Sequence, residues 1–173
     1  MSPAHSAHEA RGFPPVISGR PRVLILGSMP GQASLSANQY YAHKRNGFWP
    51  IMAELFGIDV HLSYSERIQA LVDHGVALWD VLETCTRPGS LDSAIAEDSV
   101  VVNDFSSLFV NYPGIHLVAF NGQTAARYWR KYVDPEQAVP KTLITAVLPS
   151  SSPAHASLTL AQKQQRWREV ILS

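Results

Sequence analysis

Apolar residues in this chain gather into four short runs: "RVLILG" (Arg22–Gly27), "VALWDVL" (Val76–Leu82), "IHLVAF" (Ile115–Phe120) and "TLITAVL" (Thr142–Leu148). Continuous rather than alternating hydrophobicity over so few residues is the pattern of strands buried on both faces. Between the runs the spacing turns helical. A helix is predicted from Phe48 to Phe56, stopped by Gly57. "SYSE" (Ser63–Glu66) is a capping box for a second helix, which ends at His74 and Gly75. Further helices are predicted around Asn103–Val110, over "QTAARYWRKYV" (Gln123–Val133), and after the capping pair Thr159 and Gln162. This alternation predicts an α/β fold, a three-layer α/β/α sandwich around a central four-stranded parallel sheet. Right-handed crossovers bring every post-strand loop to one edge, where such folds bind ligands. Ser28–Gly47, Glu83–Ser93, Asn121–Gln123 and Pro149–Ser157 should therefore line one crevice.

At 173 residues, with 46% hydrophobic and 16% charged residues, the chain has the balance of a globular domain with a real core. Residues 1–20, rich in Pro, Ser, Ala and His, read as a flexible lead-in, and 21–173 as a single domain. No apolar run approaches the length of a membrane span, and the N-terminus has no signal-peptide core. A cytoplasmic protein, nucleoid-associated if bacterial, and a monomer without cofactor is the expectation. A single cysteine, Cys85, excludes an internal disulfide and a four-thiolate metal site within one chain. The seven histidines show no metal-binding spacing, so no metal is expected.

Net charge is zero, but its distribution is uneven. Arg11–Ala53 carries five Lys or Arg and no acid, and Lys141–Ser173 carries four against Glu169 alone. The stretch between holds twelve acids against five bases. If the two ends meet in space, one face becomes basic, the footprint expected for nucleic acid.

The crevice loops exclude several chemistries. "GSMPG" lacks dinucleotide-binding spacing, no Gly-Lys-Ser/Thr loop exists, and no serine-hydrolase elbow occurs. "GSMPGQASLSANQYYAHKRNGFWPIM", "GVALWDVLETCTRPGSLDSAI", "AFNGQTAARYW" and "LPSSSPAHA" instead resemble, in order, successive motifs of the uracil-DNA glycosylase superfamily. They look most like its hypoxanthine (deoxyinosine) branch. The likeness spans most of Arg22–Ser157.

The resemblance implies a monofunctional glycosylase that flips a deaminated base out of DNA and hydrolyses its N-glycosidic bond. It implies Phe48 as the stacking ring, with Tyr40 and Tyr41 either walling the pocket or packing beneath the loop. Met29 and Leu148 stand where the superfamily usually carries its water-positioning Asp or Asn and its His or Asn. Catalysis then falls to Asn46, with His155 supporting the leaving group. Met29, Phe48, Asp80 and Asn121 would contact the base. Ser34, Lys44, Arg45, Arg87, Ser150 and Ser152 would contact DNA. Hypoxanthine would rank first among substrates, with uracil or xanthine second. A catalytically silent lesion sensor of the same fold, or a small-molecule α/β enzyme, are the other readings.

Overall fold

A computed structural model describes residues 9–173. In chain order its elements begin with β1 (Glu9–Arg11), β2 (Val23–Gly27), α1 (Gln32–Ala37), α2 (Phe48–Phe56), α3 (Tyr64–Asp73) and β3 (Val76–Asp80). Next come β4 (Leu82–Thr86), β5 (Val101–Val102), α4 (Phe105–Asn111) and β6 (Leu117–Asn121). Then follow α5 (Gln123–Tyr128), which widens into a π-type turn over Trp129–Val133, β7 (Ile144–Leu148) and α6 (Leu160–Ile171).

The four apolar runs form one parallel sheet in the order β3-β2-β6-β7. All five residues of β2 are buried because both faces of the sheet are covered. Val23 and Ile25 pack with Phe48, Ile51, Met52 and Leu55 of α2, Leu71 of α3, and Trp167 and Ile171 of α6. Leu24 and Leu26 pack on the other side with Phe105, Leu108 and Phe109 of α4 and Ala125, Tyr128 and Trp129. The period-two alternation of a strand thus divides the interior into two cores, one per face. Trp129 centres the second, its ring 4.9 Å from Phe105 and 5.5 Å from Phe120. The expected three-layer sandwich is the fold observed.

Four local expectations change. The lead-in expected over residues 1–20 falls partly outside the described residues, but from Glu9 onward the chain is folded in. β1 pairs antiparallel with β4, Val16 bridges to Leu78, and the Phe13 carbonyl accepts from Trp79 Nε1 at 2.9 Å. The run predicted as one strand through Leu82 splits at Val81. β4 leaves the parallel sheet for a small antiparallel one with β1 and β5, so the supposed polar loop begins as a strand. Its partners lie far along the chain, and no local pattern announces them. The long first loop contains α1, closed by Asn38 in the left-handed conformation at φ 53°. The helix predicted near Asn103 starts at Phe105, because Asp104 caps it by accepting from Ser107 N at 3.0 Å.

α6 is opened by a full capping box between Thr159 and Gln162. Replacing Thr159 with Ala should cost about 1 kcal/mol, and Trp129→Ala about 3–5 kcal/mol through the cavity it leaves. Urea denaturation midpoints, at an unchanged dependence on denaturant, measure both.

Candidate active site

The carboxyl ends of β2, β3, β6 and β7 open onto a cavity of about 410 Å³, within the roughly 300–1,000 Å³ of ordinary ligand clefts. The first and last crevice loops meet across it. Gly47 N donates to Ser151 O at 2.8 Å. Asn121, at the end of β6, holds Ser151 from both sides: its Oδ1 accepts from Ser151 N at 2.8 Å and its Nδ2 donates to Ser151 Oγ at 2.9 Å. The two base-rich stretches of sequence therefore converge at the cavity. The loop after β4 closes a third wall, with Ser28 Oγ donating to Asp92 Oδ1 at 2.6 Å and Gln32 N donating to Ser90 Oγ at 2.7 Å.

The aromatic segment sorts by burial. Phe48 opens α2, is fully buried, and does not line the cavity. The ring of Tyr41 lies across its face at a centroid distance of 4.0 Å and 19° between planes. Trp49 and Trp167 meet its edges. Phe48 is therefore the backing of Tyr41 in this state, and its expected base-facing side is covered. Tyr40 packs beneath the loop, its hydroxyl donating to Pro14 O at 3.0 Å. Trp49 is core too, donating from Nε1 to Tyr40 O at 3.3 Å. Tyr40 and Tyr41 both border the cavity, and Tyr41 alone of the four has a strained backbone, at φ 57°. A non-glycine residue held there costs about 1–3 kcal/mol and marks a segment over-determined by its surroundings.

Asp80 ends β3 opposite Gly27 of β2 and faces the cavity floor. Asn103 Nδ2 donates to its carbonyl at 2.8 Å and steadies the strand end. Burial, reinforced by the charge of Asp92 and opposed by that of Arg87, pushes its carboxyl up to about 7. Asn46 also lines the cavity. Its Oδ1 accepts from Phe48 N at 2.9 Å, so it caps α2, and its Nδ2 has no partner among the described residues. Met29 is buried and lines the wall without a titratable group. His155 sits at the mouth, its Nε2 3.3 Å from Ser157 Oγ. Ser150 and Ser152 line the same loop, where their hydroxyls accept from Ser152 N and Ala154 N. Lys44 and Arg45 are exposed on the loop that carries Asn46.

Two expected DNA contacts are corrected. Arg87 is 2% exposed, turned inward with Nη2 donating to Pro30 O, and so braces the first loop rather than facing phosphate. Ser34 is buried and accepts from Ala42 N at 3.1 Å, holding the aromatic segment in place. Asn121 lines the cavity, but its amide is committed to Ser151. Sequence reasoning missed Asp92, whose carboxylate reaches the cavity; its only signal was a polar position in a crevice loop. No group of three or more His, Cys, Asp or Glu side chains gathers among the described residues. No helix among them is long and apolar enough to cross a membrane.

Comparison with known proteins agrees with this geometry. Residues 14–172 match the family model of the uracil DNA glycosylase superfamily. Two proteins named hypoxanthine DNA glycosylase are similar. The one from Methanosarcina barkeri is 39% identical over 119 residues, covering 68% of this chain and 74% of that one. The one from Methanosarcina acetivorans is 32% identical over 167 residues, covering 92% and 96%. A solution NMR structure from Methanosarcina acetivorans, provisionally described as a uracil DNA glycosylase, superposes with a TM-score of 0.75 at 31% identity, covering 94% of this chain and 98% of that one. The chain belongs to the uracil DNA glycosylase superfamily, and the protein is a DNA glycosylase, a hydrolase of N-glycosyl bonds.

Proposed function

We propose that this glycosylase excises deaminated bases, hypoxanthine first and uracil or xanthine second, from nucleotides flipped out of DNA. The observation that carries this reading is Asp80, a buried carboxylate on the cavity floor with an oxygen that nothing in the protein satisfies. Hypoxanthine offers an N1–H donor where adenine offers an acceptor, so an ionised acceptor at this point favours the deaminated purine.

Hydrolysis adds water to C1′ of the sugar and sends the glycosidic electron pair to the departing base. The water's proton passes to solvent or to the leaving base. Little covalent work falls to the protein, whose fixed dipoles meet the developing charge. Asn46 takes the position of greatest consequence, its Nδ2 directed to the water or the sugar. His155 supports the leaving base from the mouth. Lys44, Arg45, Ser150 and Ser152 meet phosphate, through charge on one side and hydroxyl and backbone donors on the other. No lysine lines the cavity among the described residues, which favours water over an amine as nucleophile and hence a monofunctional enzyme.

A labelled duplex bearing deoxyinosine, deoxyuridine or deoxyxanthosine, treated with alkali after incubation, tests the reading. Strand cleavage is expected at deoxyinosine first, and an intact deoxyinosine strand would overturn the substrate assignment. Asn46→Ala should lower single-turnover excision by about 10²–10³-fold. Because Asn46 also caps α2, Asn46→Ser, which retains an acceptor for Phe48 N, should keep the melting temperature while excision still falls.

Asp80 gives a pH signature with a definite sign. Its folded-state value of about 7 lies above the ordinary 3.8, so the unionised form favours folding. Its contribution to stability is full below the ordinary value and is lost as pH rises toward 7, at about 1.4 kcal/mol per unit of displacement. The ionised form needed to accept N1–H appears over the top of that window. The kcat/KM for deoxyinosine should therefore rise through pH 7, and Asp80→Asn should abolish the rise while improving stability at pH 8. A wild-type profile flat between pH 6 and 8 would remove Asp80 from base recognition.

A further inference from the structure

We infer that Leu91 is a wedge that enters the base stack of duplex DNA and fills the gap left by the flipped nucleotide. The inference rests on the reading that the target base leaves the helix, and adds the side chain that holds the helix open. Among the described residues, Leu91 is the one strongly exposed large hydrophobic side chain that borders the cavity, with 59% of it exposed. A lone exposed leucine is ordinary on a protein surface. One held fast at the rim of a cavity that receives a base calls for a partner.

Several bonds hold it there. Gly89, at φ 72°, turns the chain after β4, and the residues on either side of Leu91 are then tied to the first crevice loop. Ser90 Oγ accepts from Gln32 N at 2.7 Å, and Asp92 Oδ1 accepts from Ser28 Oγ at 2.6 Å. The Leu91 carbonyl accepts from Ala94 N at 3.0 Å, and Ile95 is buried in the core behind it. Further along, Glu97 is gripped by Arg127, Lys131 and Tyr132. With the backbone fixed on both sides, little ordering remains to be done when DNA arrives.

Flipping a nucleotide leaves a slot with apolar faces between neighbouring base pairs and forfeits their stacking. A side chain that fills the slot buries its own apolar surface and keeps the base from returning. The opposite rim presents Ser150, Ser152, Pro153, Ala154 and His155 to the cavity, and no long apolar chain. Leu160 is also exposed, but it lies against Gly47 and does not border the cavity. The two rims thus divide the work, serine hydroxyls and backbone donors meeting phosphate on one side and Leu91 meeting the bases on the other.

Leu91→Ala should leave the melting temperature unchanged, because the side chain is exposed in the free protein. Its single-turnover excision of deoxyinosine from a duplex should fall roughly tenfold to a hundredfold. Excision from the same oligonucleotide as a single strand, where no stack has to be opened, should be unchanged. Leu91→Met, which keeps a long apolar chain, should retain duplex activity. Fluorescence anisotropy gives a reading that needs no excision. Leu91→Ala should bind a duplex holding a tetrahydrofuran abasic analogue about tenfold more weakly than the wild type, with no difference on the single strand. An unchanged duplex rate, or an equal loss on duplex and single strand, would overturn the wedge. So would a duplex-selective loss in Pro153→Ala with Leu91→Ala spared, which would move the wedge to the opposite rim. Failure of the wild type to excise deoxyinosine from either form would instead count against the substrate reading, while the abasic-duplex affinities still decide the role of Leu91.

Discussion

The register between β2 and β3 is the constraint on which the site depends. Parallel pairing runs without interruption from Val23 opposite Val76 to Gly27 opposite Asp80. It ends with a residue that has no side chain facing a carboxylate that needs space. One residue of slip would turn Asp80 to the other face of the sheet and a branched side chain onto the cavity floor. β6 continues the pairing on the far side of β2 and carries Asn121 to the same edge. There the amide grips Ser151 and ties the closing loop over the cavity.

Around that floor the protein arranges aromatic mass so that one side chain is forced into an uncomfortable place. Tyr40, Phe48, Trp49 and Trp167 belong to the core beside α2 and α6, and Arg67 covers Trp49 with its guanidinium 4.5 Å from the ring centroid. Their packing offsets the strain at Tyr41, whose hydroxyl burial pushes toward the protonated form and whose ring has nowhere else to lie. Such sites are where a stable scaffold stores the cost of preorganisation. Arg87 contributes from behind, a buried cation that braces the Pro30 carbonyl and moderates the rise at Asp80.

Much of this was legible in the chain. The strands were readable because a parallel sheet covered on both faces demands continuous apolar runs, and the helices because caps at Ser63 and Thr159 are local hydrogen bonds written in adjacent residues. Asn46, Asp80 and Met29 line the cavity because topology sends every strand end and post-strand loop to one edge. Phe48 and Arg87 were harder. Phe48 and Tyr41 are both aromatic and both near the crevice, and nothing in their spacing says which ring lies on top. Arg87 follows a strand whose partners are β1 and β5, and only that distant pairing turns its side chain inward.

By itself, then, the sequence determined the alternating elements, the edge at which chemistry gathers, and the side-chain types available there, because each follows from periodicity, caps and crossover handedness within a few dozen residues. Only the tertiary structure decided which of those side chains keep a free polar atom. Asn121 and Ser34 spend theirs on holding loops, whereas Asp80 does not. A hydrogen bond is satisfied by whatever the fold brings within about 3 Å, and that neighbour is chosen by contacts far along the chain.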